Sequence, residues 1–351
     1  CTRRLLAENQ ADLAAGHALI VLLVLADPGN LLYLNTFYAE SSSLLFLYAL
    51  LASLLVALAQ AGPLSRWLLA GIFSCALLLA ASKSQLLFLP NLVFLAVVFL
   101  RALKFRPPRT LLLALGSGAV IGMAIQVVHM HSTVNESIRS ANLANTLFTA
   151  MLPNADHPRE LMARLDLPEA CAQYSGASWY TPGMVSRTLC PELFQLHQFH
   201  LIDAAITFPG MSAKMTFAGM ERMDQWIPPE LGVVEGSVMA SLPLSVPSFA
   251  RLFPVMNPVV LILMITGLPL LAIICVFWRW SSGQAGVNVV LLVLSVLPIC
   301  VLAAAVLGDG YVDLSKHTHL GYSAQLAALI LLACLAIGRV VHQPFASAGQ
   351  D

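Results

Sequence analysis

Long apolar runs separated by short polar connections fill most of the chain, and this pattern predicts about eight membrane-spanning helices. The predicted spans are about 14–33, 41–60, 66–82, 86–103, 110–128, 256–278, 286–307 and 321–341. Each approaches or reaches the roughly 20 apolar residues that a helix needs to cross a bilayer. The first is interrupted by Asp27, Pro28, Gly29 and Asn30, which is typical of a re-entrant or interfacial segment. The predicted fold class is an all-α integral membrane protein.

A long polar segment, about 129–255, separates the fifth and sixth predicted spans and contains no apolar run fit to cross a membrane. Stretches within it, such as 159–167 and 190–205, have the apolar spacing of short helices. We therefore expect a mostly helical extracytoplasmic loop domain there. It would be preceded by N-terminal membrane helices (1–128) and followed by three C-terminal spans with a short cytoplasmic tail (256–351).

Lysine and arginine in the short loops set the expected orientation, because cytoplasmic loops are enriched in these residues. The connection 101–109 holds four of them and is assigned to the cytoplasm. Counting spans outward from it places the loop domain and the polar segments 27–43, 82–85 and 308–325 on the outer face. The chain opens on Cys1 without a signal-peptide layout, and we expect an N-terminal truncation that could have removed spans upstream.

Composition supports a membrane protein and excludes several other classes. The chain is 58% hydrophobic and 10% charged, whereas soluble domains carry roughly 25% charged residues. Its formal net charge of zero gives no bulk attraction to nucleic acid, so no nucleic-acid partner is expected. The sequence has no zinc-type CxxC pair, no GxGxxG and no Walker loop. No metal site and no cofactor are predicted, although a role for a divalent metal stays open.

Two cysteines, Cys171 and Cys190, lie in the expected loop domain, nineteen positions apart. An oxidising compartment would permit a disulfide between them. Two unrelated thiols are the alternative, and the sequence leaves both open.

Ionisable residues stand at the outer boundary of the apolar runs. A charged group within the hydrocarbon costs about 2.5–3.5 kcal/mol on insertion scales, so such groups usually face a cavity or a partner. Glu40 either caps the helix that begins beside it or lines a polar pocket with Asn35 and Tyr38. Lys83 either extends to lipid headgroups or meets a phosphate.

The segment 308–325, "GDGYVDLSKHTHLGYSAQ", carries Asp309, Asp313, Lys316 and His317. If it continued as a helix into the last span, these four residues would share one stripe, and Asp313 could pair with Lys316 or His317. One interpretation is a solvated helix start, where the helix dipole favours acids. The other is a pocket lining, which the closeness of Lys316 and His317 to the apolar run favours.

Three short elements resemble bacterial polytopic membrane proteins of the GT-C type, which use lipid-linked sugars to build cell-surface glycans. The stretch "LNTFYAESSSLLFLYALL" (34–51) resembles an N-S-F-Y-x-E element that precedes a span. The stretch "ASKSQ" (81–85) resembles an S-K-x-Q element, and "GDGYVDLSKHTHL" (308–320) resembles a G-D-G-x-x-D-x-x-K-H element. Together they cover about a tenth of the chain.

The resemblance implies a glycosyltransferase of the bacterial inner (plasma) membrane that acts on its outer face. Its expected partners are membrane lipid, a polyprenyl-phosphate sugar donor, and a cell-envelope glycan or lipid acceptor. Glu40, Asp309 or Asp313 would act as catalytic base or bind sugar hydroxyls. The residues expected to bind substrate are Asn35, Tyr38, Lys83, Gln85, Lys316 and His317, with the two lysines at the lipid phosphate. The acidic motif usual in the first outer loop of GT-C enzymes has no convincing counterpart here.

Two other classes of function remain open from the sequence. A transporter or flippase of a lipid-linked glycan or polar solute would also need a polar pocket, and would show inverted repeats or broken helices at mid-membrane. A non-catalytic membrane scaffold would leave the three polar segments apart in space. The sequence shows no repeat symmetry, and its polar groups cluster on one face, which favours a one-sided site.

Overall fold

The computed structural model describes residues 1–7, 10–34, 39–60, 62–100, 105–222, 265–274 and 285–342. Within these ranges the chain forms helices and turns and contains no β-strand. The α-helices are α1 (Thr2–Ala7), α2 (Ala11–Ile20), α3 (Pro28–Leu34), α4 (Ala39–Ala59), α5 (Arg66–Ser82), α6 (Leu89–Phe99), α7 (Arg109–Met130), α8 (Glu136–Ala144), α9 (Leu152–Asn154), α10 (Pro158–Arg164), α11 (Gln198–Thr207), α12 (Pro209–Glu221), α13 (Ile265–Ile274), α14 (Ala285–Asp309) and α15 (Leu314–His342). Two π-helical turns, Val21–Leu25 and Asn145–Met151, follow α2 and α8.

Four of the described helices, α4, α7, α14 and α15, are long and apolar enough to cross a membrane. The bent pair Ala11–Leu25 and Pro28–Leu34 gives a fifth crossing if it is one span. The expected eight spans are therefore not confirmed. Helix α5 has 17 residues, and at 1.5 Å per residue it is about 26 Å long, short of the ~30 Å hydrocarbon core. The span expected at 256–278 is described only over α13.

The break between α2 and α3 bends the chain by 66° at the interruption that the sequence predicted. The Asp27 carboxylate accepts a hydrogen bond of 2.7 Å from the backbone N–H of Gly29 at the start of α3. The buried side chain of Asn30 donates to the Val24 carbonyl (2.8 Å) and to Ser323 Oγ (3.1 Å). These bonds satisfy backbone groups that the break leaves free and fasten the segment to α15.

Helices α5 and α7 pack backbone against backbone through two glycines. Gly118 and Gly122 stand four residues apart on α7, facing the carbonyl oxygens of Phe73 and Leu77. A Cβ at either glycine would come closer than 3.0 Å to one of these oxygens. This spacing of small residues is the usual way for membrane helices to approach closely. This close packing fixes the position of α5 and also of Lys83, the residue that follows α5 at the end of the bundle.

Residues 131–222, which we call the cap, pack on one end of the helix bundle, the cap end. The cap's buried side chains, such as Phe148 and Leu193, form one hydrophobic cluster with Leu302 and Val306 of α14. The end of α14 is therefore part of the hydrophobic core of the cap. Of the loop domain expected at 129–255, the structure describes the part up to residue 222.

A disulfide joins Cys171 and Cys190 within the cap, so the structure adopts one of the two alternatives that the sequence left open. It links two short 3-10 helices, Glu169–Tyr174 and Pro191–Gln195. Both cysteines are buried in the same hydrophobic cluster. A crosslink that closes a loop of this length typically contributes about 3 kcal/mol to stability.

A tight turn joins α14 and α15, so the condition for a shared stripe, one continuous helix through this segment, is not met. Asp309 is the last residue of α14, residues 310–313 form the turn, and α15 begins at Leu314. Gly310 and Asp313 both have positive φ angles, +62° and +49°. Such angles interrupt a right-handed helix, so the four ionisable residues of this segment do not share one helical stripe.

Contact with the cap explains why residue 310 is a glycine. A Cβ there would come closer than 3.0 Å to Thr149 Oγ1 and to the Asn145 carbonyl oxygen. The next residue, Tyr311, donates its backbone N–H to Thr149 Oγ1 at 3.0 Å. The left-handed φ and the lack of space therefore both require glycine at this position.

We expect Gly310→Ala to destabilise the protein by at least about 3 kcal/mol, because it combines backbone strain with overpacking against the cap. Gly71→Ala is the matched control, since Gly71 lies inside α5 with open space around it. That control should be neutral or slightly stabilising. Thermal unfolding in detergent, followed by circular dichroism, measures both, and equal melting temperatures would contradict the assignment.

Candidate functional site

Three of the polar segments predicted from the sequence meet at the cap end of the bundle. Glu40 lies in the first turn of α4, and Lys83 follows α5 in an extended conformation. His317 lies in the first turn of α15, directly after the turn that contains Asp313. A hydrogen bond of 2.8 Å between the hydroxyls of Ser43 and Ser82 holds α4 and α5 together beside them. The elements that carry these side chains are thus fixed by packing.

Lys83 is held between an acid and a histidine. Its ammonium group forms an ion pair with Glu40 and lies 2.6 Å from His317 Nδ1. The side chains of Lys83 and Glu40 are only 15% and 5% exposed. A buried ammonium is stable only with partners of this kind. Lys83 therefore does not extend to headgroups, and Glu40 pairs with a cation instead of only capping α4.

The hydrogen bonds of His317 identify its tautomer. An ammonium group can only donate, so His317 Nδ1 accepts from Lys83. The other ring nitrogen, Nε2, lies 3.0 Å from Asp309 Oδ2 and must then carry the proton that it donates. On this geometry Nδ1 is the acceptor and Nε2 the donor, and the 3.5 Å approach of Nδ1 to Glu40 is secondary. Of the two partners that the sequence left open for Asp313, the structure shows Lys316, and His317 contacts Asp309 instead.

Asn145 of the cap completes the network and was not predicted from the sequence. Its side-chain amide donates to Asp309 Oδ1 at 2.7 Å, and its carbonyl oxygen accepts the backbone N–H of Trp179 at 2.7 Å. No motif marks Asn145, which lies in a helical stretch 164 positions before Asp309. We name the connected side chains the polar cluster, which consists of Glu40, Lys83, Asp309, His317 and Asn145.

A second pair, Asp313 and Lys316, stands beside the polar cluster, and its carboxylate is more exposed than the carboxylates of the cluster. Lys316 Nζ lies 2.8 Å from Asp313 Oδ2. The Asp313 side chain is 29% exposed, against 15% for Asp309 and 5% for Glu40. Asp313 is thus the most accessible of the three carboxylates predicted to act on substrate.

Two buried polar atoms near the polar cluster have no hydrogen-bond partner in the described part of the chain. They are Gln85 Oε1 and His319 Nε2. Gln85 packs against Gly308, next to Asp309. The ring of His319 stacks on Tyr33 with centroids 4.2 Å apart, and its Nδ1 lies 3.2 Å from the Lys316 carbonyl, which makes Nε2 an acceptor. Unpaired acceptors of this kind favour a donor from outside the chain, such as a hydroxyl.

Two of the predicted substrate-binding residues, Asn35 and Tyr38, lie outside the described residues. The others, Lys83, Gln85, Lys316 and His317, lie at the cap end together with the three carboxylates. Among the residues described, one group has metal-ligand proximity, namely Cys171, Cys190 and Glu192 of the cap. The disulfide occupies both of its thiols, so this group cannot hold an ion.

An apolar cavity of about 70 Å³ begins just below the polar cluster. Leu44 and Leu320, each about one helical turn beyond Glu40 and His317, line its upper part. It extends between α2, α4, α14 and α15 as far as His17 and Tyr48, which hydrogen-bond each other at 2.6 Å. Ionisable groups and an apolar cavity therefore follow one another along the same helices.

Tyr311 fastens the turn between α14 and α15 to the cap. Its hydroxyl donates to the Met215 carbonyl at 2.9 Å and accepts from the Asn154 amide at 3.0 Å. The guanidinium of Arg222 lies over its ring, 4.1 Å from the centroid. Burial raises the pKa of the Tyr311 phenol to about 12. The segments of the cap that precede and follow the disulfide therefore both hydrogen-bond to the Tyr311 hydroxyl.

Comparison with known proteins gives one match. Residues 4–199 match the family described as the YfdI N-terminal transmembrane domain, and the match covers more than half of the chain. Glu40, Lys83 and Asn145 lie within the matched residues, whereas Asp309 and His317 lie beyond them. No match was found among curated proteins or among solved structures.

We expect Lys83→Met to destabilise the protein by about 3–5 kcal/mol, because it leaves the Glu40 carboxylate buried without its cation. The double variant Lys83→Met/Glu40→Gln removes both charges and should recover much of that loss. Lys214→Met is the matched control, since it makes the same change at a pair whose side chains are 53% and 57% exposed. Denaturant unfolding in micelles should place the control within about 0.5 kcal/mol of wild type. A similar loss in both single variants would argue against a buried ion pair.

Replacing Tyr311 by Phe should cost about 1–2 kcal/mol, because two hydrogen bonds between turn and cap are lost. The raised pKa of the Tyr311 phenol also predicts the pH range over which this stabilisation is lost. The neutral phenol is favoured by the fold, so its contribution is complete below about pH 10 and is lost as pH rises to about 12. The stability difference between wild type and Tyr311→Phe should therefore shrink over that interval. A constant difference would contradict the burial of the phenol.

Proposed function

The chain belongs to the YfdI N-terminal transmembrane domain family, a family of membrane domains, and we propose that it transfers a sugar from a polyprenyl-phosphate donor. The acceptor is a glycan or lipid of the cell envelope. The proposal includes a bacterial inner membrane, with the cap on its extracytoplasmic side. The observation that carries it is the meeting of two lysines, three carboxylates and a histidine at the cap end of a membrane bundle. A scaffold would not bring these three segments together.

Asp313 and Lys316 supply the groups that face substrate in this proposal. The acceptor hydroxyl attacks the anomeric carbon of the sugar, and the bond from that carbon to the phosphate oxygen breaks. Asp313 takes the proton of the hydroxyl, and the departing polyprenyl phosphate keeps the electron pair and is stabilised by Lys316. Asp313 is suited to this step because it is the most exposed carboxylate and has a strained backbone conformation, which is frequent at functional sites.

The polar cluster acts as support in this scheme and not as the phosphate site. Lys83 is already neutralised by Glu40, so a phosphate would reach it only by replacing that carboxylate. Asp309 uses both oxygens, one on Asn145 and one on His317. These residues hold the start of α15, and therefore Lys316 and Asp313, in position. The unpaired acceptors on Gln85 and His319 are suited to sugar hydroxyls.

The apolar cavity supports a lipid-linked substrate. It has an apolar lining, and it begins one helical turn from the charged groups. A polyprenyl phosphate has the same order of parts, with a charged head next to a long apolar chain. Because that chain resides in the hydrocarbon, a lipid-linked donor would enter laterally between the helices. The arrangement therefore fits an amphipathic donor better than a soluble sugar nucleotide.

The test is transfer by the complete protein in liposomes, with tritium-labelled polyprenyl-phosphate hexoses offered one at a time with a glycolipid acceptor. Asp313→Asn should slow transfer by about 100-fold or more, the usual contribution of a general base. Lys316→Met should slow it as well, whereas Arg164→Met, at an exposed ion pair with Asp203 on the cap, should not. Unchanged transfer in both Asp313→Asn and Lys316→Met would refute these roles.

Transport of a lipid-linked glycan is the second candidate, and the bend of 66° between α2 and α3 favours it. Broken helices with buried polar residues at the break are typical of transporters, and Asp27 and Asn30 are both buried here. The same liposomes separate the two functions. Movement of a labelled polyprenyl-phosphate hexose across the bilayer, without transfer to acceptor, would support transport and contradict the glycosyltransferase proposal.

A further inference from the structure

A second cavity, of about 190 Å³, lies in the cap, away from the polar cluster. It is formed where the start of α10 approaches the junction of α11 and α12. Its polar wall includes Asp156, His157 and Thr207, and its apolar wall includes Phe208 and Met211. Ligand sites typically combine apolar walls with a few placed polar groups in this way. The volume lies below the ~300–1,000 Å³ of drug-sized sites, which limits the ligand to a small unit.

The charges at this cleft are already balanced. Lys214 on α12 donates to Asp156 Oδ1, and this contact lowers the pKa of the Asp156 carboxyl. Helix α12 begins at Pro209, so its positive end is also turned toward the carboxylate. A phosphate would meet the negative Asp156, and a metal cation would meet the positive Lys214. The cleft therefore favours a neutral ligand.

A neutral ligand that suits this wall must carry hydroxyls on its edge and C–H groups on its face. The Asp156 carboxylate is an acceptor only, and the imidazole of His157 can both donate and accept. Phe208 and Met211 offer the apolar surface. The side chains of Asp156 and Lys214 are 57% and 53% exposed, so the cleft is open to ligand from solvent. A pyranose ring has this combination of a polar edge and an apolar face.

We propose that this cleft binds one neutral sugar unit of a glycan. The inference requires only the cap and does not depend on transfer at Asp313 and Lys316. Its position is fixed relative to the rest of the molecule through Tyr311. Asn154, which ends the helix before Asp156, and Met215, which follows Lys214, both hydrogen-bond to the Tyr311 hydroxyl.

The test uses saturation-transfer NMR on the full chain in lipid nanodiscs, with methyl glycosides of glucose, galactose and mannose as probes and no lipid-linked donor present. Wild type should give saturation transfer to at least one glycoside. Asp156→Asn should weaken its binding roughly tenfold, because hydrogen bonds to a charged acceptor are lost. Gly210→Leu should abolish binding, since Gly210 lines the cleft with open space toward Asp156 and the new side chain would fill it.

Glu169→Gln is the matched control. It breaks an ion pair with Arg159 whose side chains are 63% and 83% exposed elsewhere on the cap, and it should bind as wild type does. Gly210→Leu keeps both Asp156 and Lys214, so it decides the question if Asp156→Asn fails to fold. No saturation transfer to any of the three glycosides, wild-type affinity in Gly210→Leu, or displacement of the glycoside by inorganic phosphate would each overturn the proposal. Because no donor is present, these outcomes are independent of the transfer assay.

Discussion

The charge of Lys83 is the constraint on which the cap end of the bundle depends. An ammonium group removed from water is tolerated only where an anion and further hydrogen-bond partners replace its hydration. Glu40 and His317 provide them, and each comes from a different helix. His317 in turn needs Asp309 for its second ring nitrogen, and Asp309 needs Asn145 of the cap. Burying one lysine thus determines how α4, α5, α14, α15 and the cap are placed relative to one another.

Every side chain of the polar cluster already has a hydrogen-bond or ion-pair partner. The cluster is therefore poorly suited to bind substrate itself, but well suited to hold substrate-binding residues in position. Removing any partner would leave a buried charge, so the polar cluster resists rearrangement. Asp313, which is more exposed and has a left-handed backbone conformation, stands at its edge together with Lys316 in the first turn of α15. Rigid support beneath an accessible carboxylate is what the catalysis that we propose requires. Among the three carboxylates, the division between supporting and accessible residues follows from exposure.

The sequence predicted the right segments at the cap end because charges beside apolar runs have few explanations other than a partner or a cavity. Glu40, Lys83 and His317 could be found in that way. The turn at Gly310 could not, because helical spacing of Asp309 and His317 looks the same whether or not the helix is continuous. The need for a turn comes from Asn145 and Thr149, more than 150 positions away. Asn145 itself carries no local signal, since its role depends only on that distant contact. The number of spans is not confirmed, because hydropathy ignores the length of a helix, as in α5 with 17 residues.

Tyr311 gives the turn between α14 and α15 a second role as the meeting point of cap and bundle. Toward the cap, its hydroxyl joins the segments on either side of the sugar cleft that we propose. Toward the bundle, the chain reaches Asp313 after two residues and His317 after four more. A sugar held in the cleft and a sugar held at Asp313 would therefore be positioned by one short, doubly anchored segment. Such an arrangement fits a glycan acceptor longer than one unit, with a distal unit bound by the cap and its reacting unit placed at Asp313. Positioning of this kind requires only a fixed distance between two sites and no conformational change between them.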